Sequence, residues 1–275
     1  MKISIALSPR KAAFAPLLYA GDMEHGIRRA AELGYDGLEL NLQDPRRVDQ
    51  TAVLELIRSL GLVLVSQGTG QAYIEEGLCL ASADPAIHAA IIERLQTHVD
   101  LAARAGSQVV IGGVRGKLSS DEGARKREHD AAIGVLCAVE AYASDRGVQL
   151  TIEPINRYES NFINTVEQAL QFISDAGTPR VTVLLDTFHA NIEERSFEEA
   201  IHLAGDRLSH VHLVDSNRLA PGCGHIDFLP ILRALHDVGY GGYLSAEILP
   251  RPDSETAART YAANVRALLD LAHTG

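Results

Sequence analysis

Glu153, Asp186, His212 and Glu247 each stand at or just past the end of a short apolar run, in LTIEP, TVLLD, SHVHLVD and YLSAEIL. Three carboxylates and one imidazole suit Mn²⁺, Mg²⁺ or Co²⁺ better than a structural thiolate zinc site. Taken singly, a strand-end Asp or Glu is as well explained by a helix cap or a solvated charge. Four such residues on successive runs are hard to ascribe to capping, provided the fold brings the runs together. His210 and His212 share one face of their run, because side-chain direction repeats every two residues. His212 lies nearer the C-terminal end and is the expected ligand, whereas His210 is expected to pack deeper.

The elements that must position these residues alternate along the chain. Strand-like runs occupy 3–7, 37–41, 62–67, 109–112, 149–153, 182–186, 209–214 and 243–249. Between them lie helix-like stretches at 23–33, 48–60, 85–105, 121–146, 165–176, 197–204, 228–238 and 254–272. In 85–105, Ile91, Leu95, Val99 and Ala102–Ala103 recur at helical spacing, giving one apolar face. Asp84-Pro85 and Thr165 ahead of Glu167 read as helix starts, and AELG, RSLG, ARAG, SDRG and SDAG as glycine-terminated helix ends.

Eight strands alternating with eight helices have a natural closed solution, an α/β fold in the form of a single (β/α)₈ barrel. An open doubly wound sheet shares the alternation. A dinucleotide-binding version would carry GxGxxG after its first strand, where this chain has Ser8-Pro9-Arg10-Lys11. The ligand-bearing strand ends favour the barrel, whose strands converge on one active-site face. No linker or low-complexity tract divides residues 1–275, so one barrel domain is expected across them.

Composition narrows the function further. The formal charge of −11 disfavours a sequence-blind attraction to nucleic acid phosphates. Cys79, Cys137 and Cys223 form no CxxC pair, and their odd number argues against a disulfide scaffold. MKISIALSP reads as a strand rather than a signal peptide, and no apolar run reaches membrane-spanning length. A soluble cytoplasmic enzyme is expected, with neither nucleic acid nor membrane as partner.

The segments IEPINRYESNFINT, LLDTFHANIEE and HVHLVDSNRLAPGCGHIDF resemble the sugar isomerase/epimerase family of metal-dependent TIM barrels, which includes ketose 3-epimerases and is similar in fold to xylose isomerase. With GTGQAY at 68–73 and VRG at 114–116, the resemblance runs nearest to the sugar-acid branch that interconverts 5-keto-L-gluconate and D-tagaturonate. It implies Glu153, Asp186, His212 and Glu247 as ligands of one divalent ion, with Mn²⁺ first and Mg²⁺ or Co²⁺ as alternatives. It also implies Glu153 and Glu247 as the acid/base pair, and Glu159, His189 and Arg218 as contacts to substrate oxygens. His225 is left as a loop residue.

Those roles are chemically coherent. A metal on the ketone oxygen and the neighbouring hydroxyl would stabilise an enediolate, while two flanking carboxylates remove a proton from one face and return it to the other. No redox or nucleotide cofactor is needed. A sugar acid also needs a cationic or donor-rich pocket, for which Arg115 is the candidate bidentate partner, with Gln71 and Arg218 as helpers. Phe14 is a candidate shield for the substrate. The chain has no tryptophan, so an aromatic lid would have to be supplied otherwise. Neighbouring reactions are ketose 3-epimerisation, a hydroxypyruvate-type aldose–ketose isomerisation and, further off, keto-sugar dehydration. A phosphodiesterase of the AP-endonuclease type is opposed by the acidic balance and the single histidine in the ligand set. A homo-oligomer, dimer or tetramer, is expected because symmetric assembly is the common case.

Overall fold

A computed structural model describes residues 1–11 and 16–274. Eight parallel strands close into a barrel in sequence order. They are β1 (Lys2–Leu7), β2 (Gly37–Asn41), β3 (Val63–Gly68), β4 (Gln108–Ile111), β5 (Leu150–Ile152), β6 (Thr182–Asp186), β7 (Leu208–His212) and β8 (Tyr243–Ala246). Closure is made by β1, whose Ile5 is in register with Leu38 of β2 and with Ala246 of β8.

The helices follow in order: α1 (Met23–Glu32), α2 (Gln50–Ser59), α3 (Gly70–Glu76), α4 (Pro85–Ala105) and α5 (Glu122–Ser144). Then come α6 (Val166–Asp175), α7 (Thr187–Glu193), α8 (Phe197–Ala204), α9 (Phe228–Asp237) and α10 (Ser254–Thr274). Their starts show why the sequence breaks where it does. Asp84 caps α4 through Ala86 N with Pro85 in the first turn, and Thr165 caps α6 through Gln168 N. At the far end of α4, Gly106 takes φ +71°, a left-handed conformation that ends the helix without a Cβ penalty. Ile91, Leu95, Val99 and Ala102 of α4 are all buried, as their spacing requires.

Two irregularities in strand pairing matter for the site. The β2–β3 register shifts between Leu38 and Glu39, which sets Glu39 opposite Ser66. The β6–β7 register shifts between Val183 and Leu184, which sets Asp186 opposite His212. Both shifts bring polar side chains level with one another inside the barrel. Two short helices, α3 and α7, follow β3 and β6 directly and carry Gln71 and His189 into the C-terminal face. Among the described residues, no helix is long and apolar enough to cross a membrane. Cys79, Cys137 and Cys223 are all free thiols.

Candidate metal and acid/base centre

The ends of β5, β6, β7 and β8 bring Glu153, Asp186, His212 and Glu247 together, with one ligand atom from each lying within 4.8 Å of the others. His212 Nδ1 sits 3.4 Å from Glu153 Oε1, 3.5 Å from Asp186 Oδ2 and 3.6 Å from Glu247 Oε2. Neither His212 Nδ1 nor Asp186 Oδ2 has a hydrogen-bond partner although both are buried. Buried polar atoms without partners are costly and call for an explanation. Orphaned donor atoms of opposing residues around one point, with two further carboxylates, fit a divalent cation.

Each ligand is aimed by its surroundings. Asp186 is both the last residue of β6 and the N-cap of α7. Its Oδ1 accepts from Phe188 N at 2.7 Å and His189 N at 3.3 Å, which leaves Oδ2 for the centre. One oxygen therefore caps the helix and the other is left to the cluster. Glu153 extends the β4–β5 pairing through its N–H to Ile111 O, and its carboxylate passes over Gly112. A Cβ at Gly112 would stand 2.4 Å from Glu153 Oε2, so the glycine makes room for the carboxylate. Glu247 follows β8, and its Oε2 accepts from Arg218 Nη2 at 2.8 Å.

Arg218 lies in a turn at φ +60°, outside the usual range for a side-chain-bearing residue. Buried Asp215 organises this turn by accepting from the backbone N–H groups of Ser216, Gly222, Gly224 and Ile226. The guanidinium stacks 4.8 Å over the Phe188 ring and also donates to Glu159 Oε1 at 3.2 Å. Asn156 Nδ2 donates to the same Glu159 oxygen at 3.0 Å and to His189 Nδ1 at 2.8 Å. That contact leaves the His189 proton on Nε2, which faces Asp186 Oδ2 at 3.8 Å. Burial keeps His189 neutral by pushing its pKa down.

The electrostatics separate the carboxyl groups. Burial and the neighbouring Glu153 push Glu247 up to about 8, against the pull of His212 and Arg218. Burial also opposes ionisation of Asp186, yet the facing His189, His212 and Arg218 hold its carboxyl below the usual range. His212 loses favourable hydration on burial, but Glu39, Glu247, Asp186 and Glu153 hold its pKa well above the ordinary value. The cluster thus favours protonated Glu247 and His212, protons that a cation would have to displace.

A cavity opens above the centre, and Glu159, His189, Arg218 and Gln71 all line it with Glu153, His212 and Glu247. Gln71 Nε2 donates to Ser8 Oγ at 2.9 Å, which orients its amide at the cavity wall. Gly68, Gly70, Gly112 and Gly113 form a side chain-free stretch of that wall, and Pro16, Leu17 and Ile74 also line it. Phe14 falls outside the described residues. A roomier cleft between α5 and α6, lined by His129, Phe162 and Phe172, holds none of the clustered ligands.

Arg115 corrects the sequence expectation. It does not line the cavity, and only 1% of its surface is exposed. Its Nη1 donates to Gly112 O and Glu153 O, its Nη2 to Ile163 O and its Nε to Phe162 O. A guanidinium committed to four buried carbonyls has no fork free for a substrate carboxylate. It instead ties the backbone of Glu153 to the loop carrying Phe162 and Ile163.

Two site residues escaped the sequence reading. Asn156 sets the His189 tautomer, but an Asn within INRYES carries no signal that separates it from a turn residue. Glu39 lies within β2 rather than at its end, and its Oε2 accepts from both His210 Nε2 at 3.0 Å and His212 Nε2 at 3.2 Å. Period-two alternation in GLELN could have flagged an acidic residue facing inward. His210 is fully buried below His212, as expected for the deeper position, and His225 lies on an exposed loop against Ser216 Oγ.

A closed parallel barrel with a carboxylate-rich, single-histidine cluster at its C-terminal face is a TIM barrel with a candidate metal site. The Xylose isomerase-like TIM barrel family model matches residues 27–273, and the chain belongs to that family. It is 32% identical over 241 residues to an L-ribulose 3-epimerase of Methylomonas sp., covering 84% of this chain and 82% of that protein. It is 34% identical over 234 residues to a D-psicose 3-epimerase of Enterocloster bolteae, covering 80% of this chain and 75% of that protein. A solved L-ribulose 3-epimerase structure superposes with a TM-score of 0.84 at 29% identity, over 99% of this chain and 96% of the other.

Proposed function

We propose that this isomerase-class carbohydrate enzyme is a divalent-metal-dependent ketose 3-epimerase acting on neutral ketoses. The observation that carries the reading is the placement of the Glu153 and Glu247 carboxylates in one ligand cluster below one cavity. Relatives that epimerise L-ribulose and D-psicose support it. A bound divalent cation, for which we propose Mn²⁺, supplies Lewis-acid polarisation of the ketone and so eases loss of the adjacent proton.

The chain's own residues do the rest. Inversion at C3 needs a base on one face of the carbon and an acid on the other. One of Glu153 and Glu247 takes the C3 proton, and the other returns a proton from the opposite face. The pair ends the turnover with its protonation exchanged and is reset through solvent. Arg218 holds Glu247 in place by its 2.8 Å hydrogen bond and, with Glu159 and His189, presents polar groups to the substrate oxygens. Gln71, at the opposite wall, offers an amide to the far end of the sugar.

Charge favours a neutral sugar over a sugar acid. Among the described residues lining the cavity, Arg218 is the guanidinium or ammonium group, and it already serves Glu247 and Glu159. With Arg115 turned into the backbone, a substrate carboxylate at the end of the sugar away from the proposed cation would find no side-chain cation free to pair with it. Epimerisation of 5-keto-L-gluconate to D-tagaturonate is therefore the weaker reading.

The test uses metal-stripped protein reloaded with Mn²⁺, incubated in D₂O with D-psicose, L-ribulose or 5-keto-L-gluconate and followed by NMR. Deuterium at an inverted C3 of the neutral ketoses, absent without metal, is the expected result. Faster inversion of 5-keto-L-gluconate would restore the sugar-acid reading. Deuterium on a carbon that has become an aldose centre would mean isomerisation instead. No exchange with any of the three would reject epimerisation of these substrates.

A further inference from the structure

We propose that Glu39 is a positioning residue for the metal centre, fixing which nitrogen of His212 faces the ligand cluster. This rests on reading Glu153, Asp186, His212 and Glu247 as metal ligands. The argument begins with a carboxylate that is 1% exposed, so water cannot solvate it. Its Oε2 gathers three neighbours: Ser66 Oγ at 2.6 Å, His210 Nε2 at 3.0 Å and His212 Nε2 at 3.2 Å. Its Oε1 accepts from Asn41 Nδ2 at 3.3 Å.

An ionised carboxylate only accepts, so both imidazoles present Nε2–H to it. For His212 the consequence is directional. With a proton held on Nε2, Nδ1 is the nitrogen left to face Glu153, Asp186 and Glu247, and the one whose lone pair a cation would take on displacing its proton. The other tautomer would set a lone pair against the Glu39 carboxylate and a proton into the ligand cluster. A carboxylate on the far nitrogen also raises the basicity of a ligating imidazole and locks the plane of its ring.

The backbone is built for this contact. The register shift between Leu38 and Glu39 puts Glu39 level with Ser66, whose hydroxyl then donates at 2.6 Å. His210, two residues before His212 on β7, packs edge-on against it with ring centroids 5.3 Å apart and takes the same oxygen. Glu39 is thus held by donors from β2, β3 and β7 before any cation enters. It is one layer below the cluster, and no role in moving the substrate proton is assigned to it.

Mn²⁺ binding by titration calorimetry on the full-length protein, Glu39→Gln and Glu39→Leu tests the proposal, with circular dichroism as the check on folding. Glu39→Gln keeps the shape and a neutral acceptor, and should bind Mn²⁺ about 10-fold more weakly. Glu39→Leu, which removes the acceptor, should approach a loss of about 100-fold. In ¹⁵N-histidine NMR of Mg²⁺-loaded protein, His212 should carry its proton on Nε2, and this signature should be lost in Glu39→Leu. A merely structural role would lower the melting temperature and leave affinity and tautomer unchanged in the folded protein. Affinities within twofold of the unaltered protein would overturn the proposal, and if Glu39→Leu does not fold, Glu39→Gln decides. Failure of the unaltered protein to bind Mn²⁺, Mg²⁺ or Co²⁺ would instead overturn the metal centre itself.

Discussion

The Arg218 guanidinium joins the two sides of the cavity, donating to Glu247 at 2.8 Å and to Glu159 at 3.2 Å while stacking on Phe188. Glu247 follows β8, whereas Arg218 is held in a left-handed turn by the Asp215 loop. One side chain therefore fixes a proposed acid/base carboxylate and couples it to a substrate-facing one. Arg218→Lys keeps the charge but not the planar fork that spans both partners. Turnover should fall by about 10²-fold, in line with the sensitivity of acid/base geometry to small misplacements. Steady-state kinetics on D-psicose would read this, and an unchanged kcat would show that Glu247 needs no guanidinium to hold it.

The centre also predicts the pH dependence of metal loading. Glu247 is pushed up to about 8 by burial and Glu153, and His212 is raised by its surrounding carboxylates. A cation must displace those protons, so affinity should tighten as pH rises through the range in which Glu247 ionises, up to about 8. Stability of the metal-free fold runs the opposite way. A group whose folded pKa lies above its unfolded value contributes stability below the unfolded pKa, and loses it as pH rises through the folded one. The metal-free melting temperature should thus drop between about pH 4.5 and 8 as far as Glu247 contributes. Calorimetric titrations with Mn²⁺ in two buffers of different ionisation enthalpy should also detect proton release. Affinity that is flat from pH 6 to pH 9 would count against this protonation pattern.

Long-period features were readable in the sequence and short-range or cross-barrel ones were not. Stretch 85–105 is long enough for its apolar face to repeat, and the helix Pro85–Ala105 has those bounds. Stretches 37–41 and 182–186 likewise coincide with β2 and β6. In contrast, α3 and α7 are seven residues each, too short to show a period, and fall outside the strand and helix ranges legible in the sequence. The four strand-end residues stood out because each interrupts an apolar run at its end. Glu39 did not, because it lies inside β2 and its partner His212 is 173 positions away. Arg115 was misread because a cation after a strand resembles a substrate contact until its backbone partners are known.

Gly112 tests whether the Glu153 carboxylate must sit where it does. A methyl group at this position would stand 2.4 Å from Glu153 Oε2, well inside contact distance. Because Glu153 follows the short strand β5, the side chain rather than the strand is the softer element. Gly112→Ala should keep the barrel folded, lower kcat by about 10²-fold and weaken Mn²⁺ binding, because the displaced carboxylate serves both purposes. Far-ultraviolet circular dichroism with parallel kinetics and calorimetry separates these effects. Undiminished activity would mean that the carboxylate can be repositioned at no cost.

Arg115 makes the opposite prediction, for stability ahead of specificity. Its guanidinium satisfies the carbonyls of Gly112, Glu153, Phe162 and Ile163 in a region closed to water. Arg115→Met retains much of the aliphatic packing. It leaves Gly112 O and Ile163 O with the backbone donors Arg115 N and Ile155 N, and Phe162 O with Ser160 Oγ at 3.4 Å. The unreplaced bond is chiefly that to Glu153 O, a loss of about 1–3 kcal/mol. A net loss of about 1–3 kcal/mol is expected, the usual range for one buried acceptor left without its donor. Chemical denaturation would show it as a lower midpoint with the slope unchanged. Under conditions where the variant remains folded, turnover of neutral and acidic sugars should fall by the same factor, because Arg115 reaches substrate only through the backbone of Glu153. A selective loss on the acidic sugar would return the guanidinium to the binding pocket and require this loop to adopt another arrangement when substrate is bound.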